Sequence, residues 1–437
     1  MLHLEEHETL GLSGKIFQWG DSEWILRLLP RGALLKTPLV QPVLSLAALC
    51  ILPAAVSAQT ATTPSEPPAA PPAASVQPIN PPLQFRALAG LDHDSNVFRT
   101  PDQRSDEVGM VGLGVKLDKR YGLQRFIFDA EIDRYKYREL SGLDYTTFNY
   151  SGAWNWSFTP RIRGVARADR RQYRELPDTF EGFGQAGVRT DRTDLVEGLY
   201  ELGGGWRALA GVTRSSSTST NVLSYDASPK VVSANVGLGY EFLTGSSITG
   251  RLYRGEGEYK SFSDSDFDDT LADLAVKWQF TQRTSLDGRV GYLRRTHDRS
   301  PIRDFSGAVG DATFAWEITG KTRLLAGASR DLGSYYQTTG GYVETNRVYV
   351  APVWKPTAQT ALSWRVQHER RNFKDIALGS MDQGRRDVLN WAQVGFEWEP
   401  LRPVTLSTTL RNERRKSNVA LFNYRATVVG IAAKVVF

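Results

Sequence analysis

The residues of this chain best suited to chemistry are arginines and carboxylates that recur on alternate positions. Arg86, Arg125, Arg161, Arg163, Arg167, Arg207, Arg251, Arg289, Arg323, Arg365 and Arg411 fall in segments whose other parity is apolar. Asp129, Glu131, Asp133, Glu197, Asp273, Asp287, Asp311 and Glu369 share the charged parity. A guanidinium fork holds a carboxylate or phosphate through two parallel bonds, so a wall of such groups could handle hydrated or anionic solutes. The same charges could instead pair across neighbouring strands and keep a polar surface in register. Pairing is the simpler reading for most single residues, while a polar wall is the collective expectation. A second set, Arg170, Arg171, Arg294, Arg295, Arg370, Arg371, Arg414 and Arg415, clusters where these segments meet longer polar stretches. That rim could meet lipid phosphates or an anionic polysaccharide.

Catalysis has little to work with. The chain has five histidines, and His3 and His7 precede an apparent export signal, leaving His93, His297 and His368 far apart in sequence. A Ser-His-acid site would need one of them beside a serine. His368 shares its parity with apolar Leu362, Trp364 and Val366, which makes it a poor candidate. No zinc-ligand spacing occurs. Asp264, Asp266, Asp268 and Asp269 lack the glycine and glutamate of a calcium loop and read as an acidic, solvated tip. The expectation is a protein that is not an enzyme and uses no cofactor or metal.

The elements that must position the arginines are strands. Phe148, Tyr150, Gly152, Trp154, Trp156 and Phe158 share one face, and Thr147, Asn149, Ser151, Ala153, Asn155 and Ser157 share the other. The same period-two pattern recurs around Val232–Tyr240, Ala272–Trp278 and Val404–Leu410. A one-residue slip would put every charge on the apolar face, so the register is tightly specified. Connections fall into two sets. Short ones (RYGL, TPR, LGGG, LTGSS, TQRT, TGKT, PTAQ, PLRP) alternate with longer polar ones such as ELPDTFEGFGQAGVR and KDIALGSMDQGRR. Aromatic residues precede the short turns at Trp156, Tyr200, Tyr240, Trp278, Trp316, Trp354 and Trp398, roughly 38 to 44 residues apart. Terminal Phe437 falls about one period later. With Val435 and Ile431 on its own parity, Phe437 is expected to carry the signal read by the barrel-assembly machinery.

Short turns on one rim, long loops on the other and an aromatic girdle predict an all-β fold. It is a transmembrane antiparallel up-and-down β-barrel of about 18 strands, with short periplasmic turns and longer extracellular loops. A propeller or stacked sandwich has similar periods, but here each period holds two long strands and the apolar face has no second sheet to bury it. Mean hydropathy is −0.35, too polar for helical spans of about 20 apolar residues each, whereas a barrel needs apolar residues only at alternate positions. The formal charge of +5 over 437 residues does not indicate nucleic-acid binding.

The opening stretch, LQFRALAGLDHDSNVFRTPDQRSDE, reads as the first strand and resembles the start of the putative β-barrel porin 2 family. Gly90 and the run Asp94-Ser-Asn-Val-Phe-Arg-Thr-Pro101 carry the likeness. The resemblance implies a Gram-negative outer-membrane barrel, often associated with exopolysaccharide production and export, with no catalytic residues to carry over. The expected function is passage of hydrophilic solutes or export of polysaccharide through a polar, Arg-rich lumen. The alternatives are a structural or anchoring barrel and a lipid- or sugar-modifying barrel enzyme. Expected partners are outer-membrane lipid and lipopolysaccharide, the assembly machinery and an anionic polysaccharide.

Three regions follow. Residues 1–58 read as an extension plus signal peptide: Arg31 and Lys36, an apolar Pro38–Leu52 and small residues ending at Ala58. Cleavage near Gln59 would remove the single cysteine, Cys50, and leave a thiol-free exported chain. Residues 59–82 are a Pro/Ala-rich spacer, and 83–437 the barrel.

Overall fold

The computed structural model describes residues 82–437 apart from 176–186, 221–228, 260–264, 335–340, 377 and 381. The expectations for residues 1–58 and for all but the last residue of the spacer therefore lie outside the described residues. Eighteen strands run in order: β1 (Leu83–Asp94), β2 (Asp106–Tyr121), β3 (Gln124–Tyr137), β4 (Tyr145–Thr159), β5 (Ile162–Glu175), β6 (Gly187–Gly203), β7 (Trp206–Ser219), β8 (Pro229–Glu241) and β9 (Ser247–Tyr259). They continue as β10 (Phe267–Thr281), β11 (Thr284–Thr296), β12 (Phe305–Thr319), β13 (Thr322–Ser334), β14 (Tyr342–Trp354), β15 (Thr360–Lys374), β16 (Arg386–Leu401), β17 (Val404–Ser417) and β18 (Tyr424–Val436). Each strand pairs antiparallel with its neighbours in sequence, and β18 pairs with β1. One closed sheet results, with no open edge to satisfy.

Closure leaves two faces, and the sequence separates them. Exposed on one are Leu113, Ile132, Phe148, Val196, Val236, Leu252, Val290, Val366 and Ile431. The opposite parity is buried and charged. An apolar surface of this extent on a closed barrel is a lipid belt.

Short turns close β2–β3, β4–β5, β6–β7 and the later even-to-odd pairs. Backbone geometry explains their glycines: Gly122 (φ +57°) and Gly204 (φ +61°) take left-handed conformations that side chains disfavour. Around this rim the aromatic rings touch. Phe126 stacks on Trp154 at 6.0 Å, and contacts run Trp206–Tyr240, Tyr240–Phe242 and Phe242–Trp278 at 5.2, 4.9 and 5.4 Å. Trp156 lies over the backbones of Gly164 and Gly198, filling outer-face space that a Cβ at Gly164 would occupy. These rings, the Trp and Tyr among them with polar tips, form a girdle at the membrane interface.

The seam is closed at both ends. On the short-turn rim, Phe85 N–H donates to the Phe437 carbonyl at 2.7 Å, Phe437 N–H returns a bond to the Phe85 carbonyl at 2.9 Å, and the two rings stack at 6.2 Å. On the other rim the structure departs from the sequence reading. The first strand stops at Asp94, and Ser95–Pro101 folds as a compact loop. Asn96, fully buried, makes this possible: its side-chain amide donates to the carbonyls of Thr100 (2.7 Å) and Arg425 (2.9 Å). Thr427 N–H donates to Ser95 Oγ at 2.8 Å, and Ser95 N–H donates to the Thr427 carbonyl at 3.0 Å. Arg99 takes φ +53° and donates to Asp94 at 2.8 Å. The segment that resembles the porin family thus staples β18 to the loop that follows β1.

Candidate functional site

The inner wall is the candidate site, and pleating builds it, because every second side chain of eighteen strands must point there. Arg86, Arg125, Arg163, Arg167, Arg207, Arg251, Arg289, Arg323, Arg365 and Arg411 occupy the inner parity, as do Asp129, Glu131, Asp273 and Asp311. Arg161 does not. It lies with Pro160 in the tight turn between β4 and β5 and is exposed, because the strand ends at Thr159 where the turn reverses the chain.

Most of these charges are engaged with one another. Arg86 donates to Asp129 (2.9 Å) and to Glu131 (2.8 Å), from β1 to β3 across β2. Asp273 accepts from Arg251 at 3.0 Å and from Arg289 at 3.2 Å, and Arg289 also lies 3.7 Å from Asp311, tying β9 to β12. Arg163 pairs with Glu201, Arg207 with Glu241, Arg167 with Asp169 and Arg125 with Asp118.

One sector differs. On β14–β17, Arg365 stands over the Tyr349 ring at 4.2 Å and 5.4 Å from the Trp391 ring, while Arg411 stands over Trp391 at 4.6 Å. Gln393 lies between the two arginines in register, and Gln367 faces Trp391. Arg365 donates to Gln367 at 3.2 Å and Arg411 to Glu413 at 2.8 Å. Two guanidiniums, two amides and two aromatic rings share this stretch of wall, with Arg365 and Gln393 partly exposed and Gln367, Trp391 and Arg411 buried, and guanidiniums so placed can attract carboxylates. Sequence reasoning found the arginines and missed Trp391, Gln367 and Gln393. The alternation of β16 would have revealed Trp391, whose parity opposes that of lipid-facing Val394 and Phe396.

The inner face is also less uniformly polar than expected. Tyr253, Leu271, Leu293, Phe305 and Val309 form a buried apolar cluster on β9–β12, and Leu88, Val108, Met110, Tyr135 and Tyr145 pack with loop residues Val97 and Leu140. In the second cluster the loop residues fold against the wall near the long-loop rim and supply dry surface, so apolar residues occupy inner positions there.

The clustered rim arginines separate by parity. Arg295, Arg371 and Arg415 are buried inside: Arg295 donates to Asp269 (2.7 Å), Arg371 to Glu369 (2.6 Å) and Arg415 to the Phe422 carbonyl (2.6 Å). Arg170, Arg294, Arg370 and Arg414 are on the outer parity. The aspartates expected at an acidic tip do not converge. Asp266 accepts from Tyr259 N–H, Asp268 pairs with Arg254, Asp269 with Arg295, and Asp264 lies outside the described residues. Of the histidines, His93 is on β1 and His368 on β15. His297 sits in the loop after β11, where its Nδ1 lies 3.1 Å from Asp304, and burial holds its pKa below the usual value.

Residues 276–437 match the family model described as "Putative beta-barrel porin 2". The match spans the last part of β10 and all of β11–β18, a little over a third of the chain, and agrees with the family that the opening stretch resembles outside that range. No curated protein matches. Among solved structures, OpdK of Pseudomonas aeruginosa with vanillate is 11% identical at a TM-score of 0.47, covering 81% of this chain and 99% of its own. OccK2 (OpdF) of the same organism in complex with glucuronate is 11% identical at 0.47, covering 81% and 96%. A BenF-like porin from Pseudomonas fluorescens Pf-5 is 10% identical at 0.48, covering 81% and 99%. The barrel assignment rests on this chain's own strand pairing and lipid belt. The protein is a porin-like β-barrel of the bacterial outer membrane.

Proposed function

We propose that the barrel is a non-enzymatic conduit for hydrophilic, anionic solutes, with acidic polysaccharide as its largest candidate cargo. The carrying observation is the Arg365–Trp391–Arg411 sector, where positive charge, amides and ring faces share one patch of inner wall. Carboxylated sugars offer the anion that the guanidiniums match. The test is current through single purified barrels in a planar bilayer, with and without oligomers of a uronic acid. Block by uronate oligomers but not by neutral oligomers of equal length supports the reading. Equal block by both overturns the preference for anions.

A structural or anchoring barrel is the second reading. It is favoured by the burial of Arg251, Arg289 and Asp273, by their pairing with one another and with Asp311, and by the equally deep burial of Trp391 and Arg411.

A further inference from the structure

The outer face carries a pattern that the inner-wall reading does not use. Every odd-numbered strand from β3 to β17 has an outward arginine seven to ten residues past its first residue, beginning with Arg134 and ending with Arg414. At about 3.3 Å per residue and a tilt of about 40°, that is about 20 Å above the short-turn rim, close to the top of a lipid belt about 25 Å tall. The next outward residue below is often apolar and exposed, as at Ile132, Val212 and Leu252. A ring of guanidiniums therefore caps the lipid belt on its long-loop side.

Two observations point to an anion there. First, Arg414 faces Arg425 directly across β17–β18. Like charges placed opposite one another destabilise a sheet unless something negative lies between them. Second, Arg214, Arg294, Arg414 and Arg425 are exposed and make no ion pair among the described residues. Acidic residues on this face are fewer: Asp268 and Glu344 are already paired with Arg254 and Arg330, and Asp194 stands opposite Arg214 in register without closing an ion pair.

We infer that this outer arginine ring binds the phosphate groups of outer-leaflet glycolipid, with Arg414 and Arg425 forming one two-guanidinium clamp. A membrane lipid is the occupant because the side chains stand on the lipid face, at headgroup height, where a soluble polymer in the lumen cannot reach. Guanidinium forks match phosphate oxygens in geometry and charge. The inference rests on the membrane location and not on what passes through the barrel.

The test uses the full-length barrel in detergent and measures binding of bis-phosphorylated lipid A, the same lipid with its phosphates removed, and inorganic phosphate. The wild type should bind the phosphorylated lipid at least about tenfold more tightly than the dephosphorylated one, since each charged hydrogen bond contributes about a factor of ten. Arg414→Gln with Arg425→Gln should weaken the phosphorylated lipid alone and leave single-channel conductance unchanged. Equal affinity of the wild type for both lipids overturns the inference, and that comparison needs no variant to fold. So does unchanged affinity in the double variant, or displacement of the lipid by inorganic phosphate, which would mark a free-phosphate site. If the double variant does not fold, Arg214→Gln with Arg294→Gln should lower affinity for the phosphorylated lipid in the same assay, and no decrease overturns the inference.

Discussion

Gly152 and Ser151 are adjacent on β4 and face different media, so a single substitution at each reports the facing of the whole strand. A Cβ at Gly152 would meet nothing closer than Phe128 at 3.6 Å, so an arginine there is opposed by lipid and not by sterics. Gly152→Arg should cost about 2–4 kcal/mol of barrel stability near the midplane. Ser151→Arg should be tolerated, because its strand partners Asp129 and Asp169 face the same side. Equal loss of the heat-resistant folded band on gels for both would refute the assigned facing. Burial decides a second contrast at this scale. Asp273 bridges Arg251 and Arg289 and is buried, whereas the Asp129 side chain is 34% exposed. Asp273→Ala should remove the carboxylate shared by two buried guanidiniums and cost about 3–5 kcal/mol. Asp129→Ala should cost less, because Arg86 keeps Glu131 and solvent reaches the site. Urea unfolding in detergent measures both. Parity was legible in the sequence at nearly every one of these residues. Arg161 was not, because a two-residue turn cannot be located to the residue from alternation alone.

The strands themselves were the most legible elements, since eighteen alternating runs separated by turn residues leave little freedom in register. The segment Ser95–Pro101 was misread for a physical reason. Its side chains Asp94, Asn96 and Arg99 satisfy backbone and one another, and such local bonds have no periodic signature. This loop and β18 make one testable unit. Asn96→Ala should cost about 1–3 kcal/mol, because it leaves the buried Thr100 carbonyl and the part-buried Arg425 carbonyl without their donor. Deleting Phe437 should instead slow insertion, since it removes the Phe85 bonds and ring contact at the other end of the seam. Pulse-chase protection from protease separates the two effects: a slower rate for the Phe437 deletion, and a normal rate with lower final stability for Asn96→Ala. The reverse assignment would show that the loop, and not the terminal strand, guides closure.

At the scale of the molecule, the closed topology follows from the sequence, but how the wall divides its charges does not. Alternation placed the arginines on one face without revealing which acids hold them. Arg289 meets Asp273 and Asp311 on neighbouring strands, a proximity that only the pairing creates. Alternation puts Trp391 on the inner parity, but only strand pairing sets its ring against both Arg365 and Arg411 and turns scattered cations into a patch. The central claim is that this patch lines a path for anions. The most direct measurement is the reversal potential of single barrels in a planar bilayer under a salt gradient, for the wild type and for Arg365→Gln with Arg411→Gln. The wild type should prefer anions at low salt, and that preference should fade as the screening length shortens to about 10 Å at 0.1 M. The double variant should shift towards cations while keeping its heat-resistant fold. A wild-type barrel that carries no current, or one whose selectivity is the same in the variant, would contradict the account and leave the anchoring role in its place.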